Sequence, residues 1–208
     1  MSESSTRQRV GILGGTFDPI HVGHLILAEY CREHLRLDQV RFIPAAISPL
    51  KIGQEPVPPK VRLEMVKLAI SGNPHFAVDD REVRRGGTSY TVDTLGELAA
   101  EMPDSSLVFL MGADSLADLD KWREPAEICR LAEIAVVRRG GQPMPDVAKL
   151  ASYLPNSAGD ASECVVDMPQ VEISSSDIRS RVASGRSLRY LLHPTTAALI
   201  ASGELYKS

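Results

Sequence analysis

The stretch that decides the fold is Val10-Gly11-Ile12-Leu13-Gly14-Gly15-Thr16-Phe17-Asp18-Pro19-Ile20-His21-Val22-Gly23-His24. Its first four residues form a short apolar run of the kind found in buried strands, and residues 22–37 have the length and pattern of a helix. Gly14 and Gly15 predict a tight turn between the two, where a ligand can approach the backbone without meeting a Cβ atom. A strand, a glycine turn and a helix in this order indicate the start of a βαβ unit.

Short apolar runs and amphipathic stretches alternate along the rest of the chain. This alternation predicts a Rossmann-like, doubly wound α/β fold, with a mainly parallel sheet and helices on both of its faces. We expect a single domain over residues 1–208, with residues 1–8 flexible and a small C-terminal helical part from about residue 174 to 208. Further strands are predicted at 39–44, 107–111, 133–137 and 164–167 with extended chain at 75–83, and further helices at 59–70, 91–102, 147–153, 176–184 and 194–202.

The composition narrows the classes of partner. The 208 residues carry 23 Lys and Arg against 27 Asp and Glu, a net charge of -4. No basic face is implied, so we expect neither nucleic acid nor a membrane as partner, while small anionic ligands remain compatible with this balance. Three scattered cysteines without a Cys-x-x-Cys pair predict reduced thiols. Residues 1–9 contain no apolar signal-peptide core and no long apolar run occurs, so a cytoplasmic location is expected.

Two histidines stand three residues apart where the first helix begins. His21 and His24 therefore share a helix face, and the N–H groups and partial positive charge of a helix N-terminus attract phosphate. Thr16 and Asp18 add side-chain oxygens nearby. The glycine spacing fits neither a P-loop nor a dinucleotide-binding fingerprint, which disfavours a P-loop kinase and a nicotinamide-dependent redox enzyme. Two plainer interpretations stay open: an ordinary turn with capping histidines, and a zinc site that still requires a third ligand.

The same string resembles the His-x-Gly-His signature of the nucleotidylyltransferase superfamily and, in full, a stretch of the bacterial nicotinate-nucleotide adenylyltransferases. Three later motifs extend the resemblance over nearly the whole chain. Singly they are weak, but four motifs in the right order are specific. The later motifs are Ser89-Tyr90-Thr91-Val92-Asp93-Thr94-Leu95, Phe109-Leu110-Met111-Gly112-Ala113-Asp114-Ser115-Leu116 with Trp122 downstream, and Ile173-Ser174-Ser175-Ser176-Asp177-Ile178-Arg179.

The resemblance implies a reaction and its participants. The reaction is transfer of the adenylyl group of ATP to nicotinate mononucleotide, which yields nicotinate adenine dinucleotide and pyrophosphate in NAD biosynthesis. The small-molecule partners are ATP and the mononucleotide. The implied cofactor is Mg²⁺ carried by the ATP phosphates, with no metal ligand assigned to a protein side chain. The oligomeric state stays open, and a homo-oligomer is compatible with the sequence.

The resemblance also assigns roles to individual residues, and the part from about 174 to 208 is expected to complete the ATP site. Two positions depart from the family pattern, since Leu50 replaces a histidine and Arg139 replaces a proline. The expected catalytic residues are His21, His24, Lys51 and Arg179. The expected ATP-binding residues are Gly14, Gly15, Thr16, Phe17, Asp18, His21, His24, Gly112, Asp114, Ser174, Ser175, Ile178 and Arg179, and the expected mononucleotide-binding residues are Tyr90, Thr91, Trp122 and Arg138.

The implied chemistry requires no general base. A phosphate monoester is mostly a dianion near neutral pH, because its second pKa is about 6. We expect His24 to donate a hydrogen bond to the α-phosphate in the transition state. His21 and Thr16 are expected to position the phosphates, and Lys51 and Arg179 to screen their charge.

Plain structural roles and rival functions stay open. Asp114 is equally well explained as a helix N-cap, at least one of the serines at 174–176 is expected to cap a helix, and Trp122 is by residue type more often a core residue. The rival functions are adenylyl transfer to nicotinamide mononucleotide or phosphopantetheine, a cytidylyltransferase, a fragment of a class I aminoacyl-tRNA synthetase, and a non-catalytic nucleotide-sensing module. A sensing module would not need Arg179 and both histidines together.

Overall fold

The computed structural model describes residues 7–49, 56–153 and 164–207. Leu50 and Lys51 lie outside the described residues, so the structure does not test what was predicted for them. The first strand begins at Gln8, inside the segment that was expected to be flexible.

One sheet of six parallel strands forms the centre of the molecule. The strands are β1 (Gln8–Gly15), β2 (Gln39–Pro44), β3 (Phe76–Val78), β4 (Ser105–Gly112), β5 (Glu133–Arg139) and β6 (Val165–Met168). Their spatial order is β3-β2-β1-β4-β5-β6. From β1 the chain adds β2 and β3 on one side, and then β4, β5 and β6 on the other side, so the strand order reverses between β1 and β4. In doubly wound sheets ligands bind at this switch point, outside the carboxyl ends of the strands.

Helices cover both faces of the sheet. They are α1 (Val22–His34), α2 (Pro59–Ile70), α3 (Arg81–Arg85), α4 (Thr91–Glu101), α5 (Ala113–Ala117), α6 (Pro125–Leu131), α7 (Ala148–Ala151), α8 (Ser175–Ala183) and α9 (Pro194–Ser202), with a 3₁₀ turn at Leu119–Lys121. Residues of α1, α2, α8 and α9 pack in one apolar cluster, and those of α4 to α7 in a second. In β1, Leu13 belongs to the first cluster and Ile12 to the second, as the alternation of side chains along a strand requires. The predicted fold class is confirmed.

Several predicted elements match the structure closely. β2, α2 and α9 begin and end at the predicted residues. Both helices have a proline at their first position, Pro59 and Pro194, where the missing N–H is not needed and the φ angle of proline suits a helix. These boundaries are set by local chemistry, which explains why the sequence alone predicts them.

The short helices are where the sequence prediction is wrong. Residues 75–83 were predicted to be extended, but only Phe76–Val78 is a strand, and α3 starts at Arg81. The guanidinium of Arg81 is buried and donates to Asp79 at 2.8 Å and to Glu101 at 2.8 Å. A five-residue helix is too short for hydrophobic periodicity to reveal, and this buried ion-pair cluster stabilises the turn instead. The short helices α5 and α6 were not predicted for the same reason.

The start of α4 carries no capping side chain. Ser89 and Thr91 are residue types that favour the N-cap, but that position is held by Tyr90, whose side chain makes no capping hydrogen bond. The Ser89 hydroxyl instead accepts from the backbone N–H of Ala46 at 3.0 Å. The Ser89 hydroxyl is therefore used in a long-range hydrogen bond and not in the N-cap hydrogen bond that local propensity favours.

Within the part of the chain that the structure describes, no helix combines the length and apolar character needed to cross a bilayer.

Candidate active site

The loop after β1 lies at the switch point, but its glycines do not make the turn. Gly14 and Gly15 are the last two residues of the strand, and the left-handed backbone angle occurs at Phe17, with φ of 50°. A Cβ atom on Gly14 would meet nothing within 4 Å, whereas one on Gly15 would lie 3.0 Å from the Phe17 ring. The prediction of a glycine turn is therefore corrected: Gly14 leaves open space at the strand end, and Gly15 makes room for Phe17.

The two histidines begin α1 in different roles. His21 is the N-cap residue, and His24 stands three residues later. The Nδ1 atom of His24 accepts from the backbone N–H of His21 at 3.2 Å, which places the proton of a neutral His24 imidazole on Nε2. The two rings stack with their centroids 3.8 Å apart. A Cβ atom on Gly23 would come within 3.0 Å of the His21 ring, so the glycine between the histidines makes this stacking sterically feasible.

His21 is held in its neutral form. The residue is 8% exposed, and burial, with a smaller contribution from the charge of Arg139, lowers its pKa from 6.5 to about 4. Its Nδ1 atom is buried and faces the backbone of His24 in a capping-box arrangement, but among the described residues it makes no hydrogen bond of good geometry. Buried polar atoms without a partner are uncommon in folded proteins and often mark functional sites. This lowered pKa favours the neutral imidazole near pH 7 in the ligand-free protein.

Asp18 is engaged by the protein itself. Its carboxylate is buried, and its Oδ1 atom accepts from the Tyr206 hydroxyl at 2.6 Å and from the Val57 N–H at 3.3 Å. Its backbone carbonyl accepts from Arg179 Nη1 at 2.7 Å. The resemblance implies an ATP contact for Asp18, and in the structure its carboxylate already accepts hydrogen bonds from two distant residues, Tyr206 and Val57, while Arg179 donates to its backbone carbonyl.

Arg62 is a site residue that sequence reasoning missed. Its side chain is completely buried and donates to three backbone carbonyls, those of Thr16 at 2.6 Å, Val57 at 3.0 Å and Ala46 at 2.9 Å. Burial lowers its pKa from the usual arginine range, and the nearby Asp18 carboxylate opposes that shift. The signal in the sequence is a charged residue on the stripe of α2 that otherwise carries Met65 and Val66, both buried.

The N-terminus of α8 docks against the same loop. Ser174 caps the helix by accepting from the Asp177 N–H at 3.1 Å, so the predicted serine cap is confirmed. Ser175 donates to the carbonyl of Pro19 at 2.9 Å, and Arg179 bonds the loop through Asp18. Two helix N-termini therefore meet beside the end of β1, and we call this region the anion edge, consisting of Gly14, His21, His24, Ser174 and Arg179.

A cavity of about 410 Å³ opens next to the anion edge. We call it the switch-point cavity. Its walls combine the end of β1, the start of α4 and aromatic side chains from β4 and from the segment after α5. It is lined by Gly14, Gly15, Thr16, Ala45, Ser48, Pro49, Glu82, Ser89, Tyr90, Thr91, Phe109, Ser115, Lys121, Trp122, Arg123 and Ile128.

Trp122 forms one wall of this cavity. It is half-buried and packs edge-to-face on Phe109, with ring centroids 6.0 Å apart. Its Nε1 atom is buried and finds no hydrogen-bond acceptor within residues 7–49, 56–153 and 164–207. Thr91, the first residue of α4, lies on the same cavity, so its backbone N–H belongs to a helix N-terminus that favours an anion. The structure thus brings together three of the four predicted mononucleotide residues, Tyr90, Thr91 and Trp122.

A buried carboxyl group also lines the switch-point cavity. Glu82 accepts from the Thr94 hydroxyl at 2.6 Å. Burial raises its pKa above the usual range, opposed by hydrogen bonds from Thr94 and Ser89 and by the charge of Arg85. No sequence motif pointed to Glu82, because its hydrogen-bond partner Thr94 lies 12 residues further along the chain, in α4.

Three of the predicted site residues, Arg138, Ile178 and Asp114, do not line the switch-point cavity. Arg138 pairs with Asp167 on β6 through hydrogen bonds of 2.5 and 2.7 Å and does not line the switch-point cavity. Ile178 is fully buried in the first apolar cluster. Asp114 is exposed in the first turn of α5, where Gly112 and not Asp114 holds the N-cap position. A strand end and a helix start were correctly predicted at these motifs, but side-chain direction depends on the packing around them.

Residues 12–181 match the cytidylyltransferase-like family. A Rhodopirellula baltica protein named "Probable nicotinate-nucleotide adenylyltransferase" is 44% identical over 212 residues, covering 100% of this chain and 99% of the relative. A Thermomicrobium roseum protein of the same name is 46% identical over 200 residues, covering 96% of this chain and 92% of the relative.

A solved structure shows the same fold at low identity. The Plasmodium falciparum nicotinic acid mononucleotide adenylyltransferase complexed with NaAD superposes with a TM-score of 0.76 at 19% identity, covering 96% of this chain and 97% of that one. The matched region of the family contains the loop after β1, the switch-point cavity and the start of α8. The full-length relatives confirm the resemblance drawn from the four motifs. This chain therefore belongs to the cytidylyltransferase-like family and, within it, to the nicotinate-nucleotide adenylyltransferases.

Proposed function

We propose that this chain transfers the adenylyl group of ATP to nicotinate mononucleotide, producing nicotinate adenine dinucleotide and pyrophosphate. The observation that carries the proposal is the pair of adjoining subsites at one switch point. A polar edge with two helix N-termini suits a polyphosphate, and an aromatic cavity with a third helix N-terminus suits a ring that bears a carboxylate. The names of relatives that match nearly the whole chain support the same reaction.

The cavity is the subsite that we propose for the nicotinate ring. The indole ring of Trp122 can stack on a flat heterocycle or pack edge-to-face against it, and both contacts are favourable. The backbone N–H of Thr91 and the unpartnered Nε1–H of Trp122 are donors in the region that would receive the carboxylate. Tyr90 and Thr91 would determine how deeply the nicotinate ring enters the cavity. Arg138 would bind the mononucleotide only if its ion pair with Asp167 opened.

The anion edge is the subsite that we propose for ATP. The nucleophile is an oxygen of the mononucleotide phosphate, which forms a bond to the α-phosphorus of ATP. The bond from that phosphorus to the bridging oxygen breaks, and pyrophosphate leaves with the electron pair. His24 would donate from Nε2 to the α-phosphate as charge builds up there. His21 would keep the His24 ring oriented by stacking, and Arg179 and Lys51 would screen the charge of the phosphates.

The other residues at these subsites keep a proposed binding role. Gly14, Gly15, Thr16 and Phe17 would let the polyphosphate approach the end of β1, and Gly112 and Asp114 would face the ribose. Ser174 and Ser175 would supply the N-terminus of α8, so that the C-terminal part from about residue 174 completes the ATP site.

Magnesium is proposed only as the ion that ATP brings. The described residues contain no group of three or more His, Cys, Asp or Glu side chains able to hold a metal ion, and the buried Asp18 carboxylate is already hydrogen-bonded. This donor set does not fit a protein-held ion, so we derive no step through one.

Pyrophosphate release from ATP tests the proposal directly. The purified protein is assayed with nicotinate mononucleotide, nicotinamide mononucleotide and phosphopantetheine as separate acceptors, and kcat/KM is compared. We expect the highest kcat/KM with nicotinate mononucleotide, because the cavity presents N–H donors to a carboxylate. Preference for another acceptor would reassign the substrate, and ATP binding without pyrophosphate release under any acceptor would favour the sensing module.

A further inference from the structure

The chain ends by returning to the loop after β1. After α9 the backbone takes left-handed angles at Glu204, with φ of 52°, and at Tyr206, with φ of 62°. The N–H of Leu205 donates to the carbonyl of Ile200 at 3.1 Å, and Tyr206 packs against the first apolar cluster. Left-handed angles are uncommon for residues other than glycine, so tertiary contacts must stabilise this reversal. Its result is to bring the Tyr206 hydroxyl to Asp18.

The segment is anchored to the helix that carries Arg62. Thr196 in α9 donates to the carbonyl of Met65 in α2 at 3.3 Å, and Thr195 donates to that of Leu68 at 3.2 Å. Arg62, on the same helix, bonds the carbonyl of Thr16. The end of the chain, α2 and the loop after β1 are thus joined as one hydrogen-bonded unit.

Asp18 is the point at which this unit meets the anion edge. Its Oδ1 atom is occupied by Tyr206 and Val57, and its Oδ2 atom lies 3.7 Å from Arg179 Nη1. That distance is too long for a hydrogen bond, and the same Nη1 atom donates to the carbonyl of Asp18 instead. The carboxylate and the guanidinium are therefore neighbours that do not form a bidentate pair.

We propose that Tyr206 is a positioning residue for ATP binding: its hydroxyl holds the Asp18 carboxylate so that Arg179 stays available to the ATP phosphates. A buried carboxylate oxygen that loses its hydrogen-bond donor is destabilised as an unsatisfied polar group, so a conformation in which it meets another donor is favoured. The nearest strong donor is Arg179, and arginine pairs with carboxylates in a bidentate geometry that is stronger than an ordinary hydrogen bond. Without the Tyr206 hydroxyl, Asp18 would rotate onto Arg179 and compete with phosphate for it.

The environment of Tyr206 suits this task. Burial and the hydrogen bond to Asp18 raise its pKa well above the usual tyrosine range, so the hydroxyl remains protonated and able to donate near neutral pH. The inference rests on the proposed function because it assigns ATP to the anion edge. It is independent of the acceptor, since it concerns the binding of ATP alone.

The decisive experiment measures ATP binding by calorimetry, without an acceptor, in four variants of the full chain. They are Tyr206→Phe, Asp18→Asn, the double variant, and Tyr190→Phe as the matched control. Tyr190 loses the same hydroxyl group, but it is 90% exposed and lies outside both subsites. Pyrophosphate release then separates the KM for ATP from the KM for nicotinate mononucleotide, and circular dichroism with thermal unfolding checks the fold.

We expect Tyr206→Phe to raise the Kd of ATP about tenfold, the usual effect of one charge-assisted hydrogen bond, and to leave the mononucleotide KM within about twofold. Adding Asp18→Asn should recover most of the affinity, because an amide cannot form the competing ion pair. Tyr190→Phe should bind ATP like the unmodified chain. This non-additivity is the signature of the proposed competition.

Other outcomes would overturn the proposal. Unchanged ATP affinity in Tyr206→Phe, equal weakening of both substrates, or failure of Asp18→Asn to restore binding would each reduce Tyr206 to a structural role. If Tyr206→Phe does not fold, Asp18→Asn alone decides: it keeps the tyrosine in place and should weaken ATP binding less than about threefold, whereas a direct ATP contact by Asp18 predicts a larger loss. An unmodified chain that binds ATP but does not release pyrophosphate would refute the proposed function without affecting this test.

Discussion

The switch-point cavity and the anion edge adjoin at the end of β1, but they are built in different ways. The cavity has walls of packed apolar and aromatic groups, among them Phe109 and Trp122. The anion edge consists of polar groups from segments about 150 residues apart, joined by hydrogen bonds such as that of Ser175 to Pro19. The cavity therefore depends on packing, while the edge depends on a network in which each donor needs its acceptor. This difference predicts that substitutions in the anion edge will change kcat and the stability in acid, whereas a substitution in the cavity wall will change the KM for the mononucleotide.

The two regions also respond in opposite directions to acid. His21 has a lowered pKa, so the unfolded chain binds a proton more readily, and the stability that this residue contributes is lost as the pH falls from 6.5 towards 4. Glu82 has a raised pKa, so its contribution is complete below the usual glutamate range and is lost as the pH rises through the higher value. Acid therefore destabilises the anion edge and favours the folded form of the cavity wall.

The largest effect is expected from His24→Ala. Loss of a transition-state donor should lower kcat by about 10²- to 10³-fold, with little change in thermal stability, because the backbone N–H of residue 24 still donates to the carbonyl of His21, at 2.9 Å, when the side chain is removed. Stopped assays of pyrophosphate release measure kcat. His34→Ala, at the exposed end of the same helix, is the control and should keep normal turnover. Near-normal turnover of His24→Ala would remove His24 from the mechanism.

A somewhat smaller effect is expected on stability, from His21→Asn. The shift of the His21 pKa from 6.5 to about 4 corresponds to about 3 kcal/mol of unfolding free energy that is lost on acidification. Asparagine is a good N-cap that does not titrate in this range, so the variant should lose less stability between pH 7 and pH 4. Urea unfolding at several pH values measures the slope.

Glu82→Gln supplies the opposite control for that experiment. The substitution removes the stabilising contribution of Glu82, which grows as the pH falls. The free energy of unfolding of the variant should therefore decrease more steeply with decreasing pH than that of the unmodified chain. Identical slopes for the two variants would show that the two regions do not titrate as described.

The smallest effect, and the one confined to the cavity, is expected from Trp122→Ala. Loss of a stacking surface typically costs about 1–3 kcal/mol per ring, so the KM for nicotinate mononucleotide should rise about tenfold to hundredfold while the KM for ATP stays within about twofold. Trp122→Phe keeps an aromatic face and should recover part of the affinity. Steady-state kinetics with each substrate varied in turn measures the split. A parallel rise in both KM values would contradict the assignment of two separate subsites.

Local chemistry explains most of the successful predictions. β2, α2 and α9 were predicted residue by residue, since alternating apolar runs and helix-starting prolines act within a few residues. A serine cap among residues 174–176 was predicted for the same reason, and the structure shows that Ser174 provides it. The short helix α3 was missed because its stability comes from the ion pairs of Arg81, and the turn after β1 was misassigned because the left-handed residue is Phe17 and not a glycine.

The candidate site was predicted only in part. The motifs predicted one subsite with His21, His24, Ser174 and Arg179 and another with Thr91 and Trp122. In the structure Arg179 bonds the loop that leads to the histidines, and Thr91 and Trp122 line one cavity. They did not predict that the Asp18 carboxylate bonds Tyr206, that Arg62 is buried under the loop, or that Arg138 pairs with Asp167. Each of these contacts joins residues far apart in sequence, and no local pattern records such pairing.

The sequence by itself determined the α/β class, most strand and helix positions, and the string that begins the anion edge, because these depend on periodicity, caps and the residue types that phosphate requires. Only the tertiary structure decided which polar groups are available to a ligand and which are used to hold the loop. The physical reason is that a buried donor or acceptor must find a partner, and the partners of Asp18 lie on segments that only the folded chain brings together.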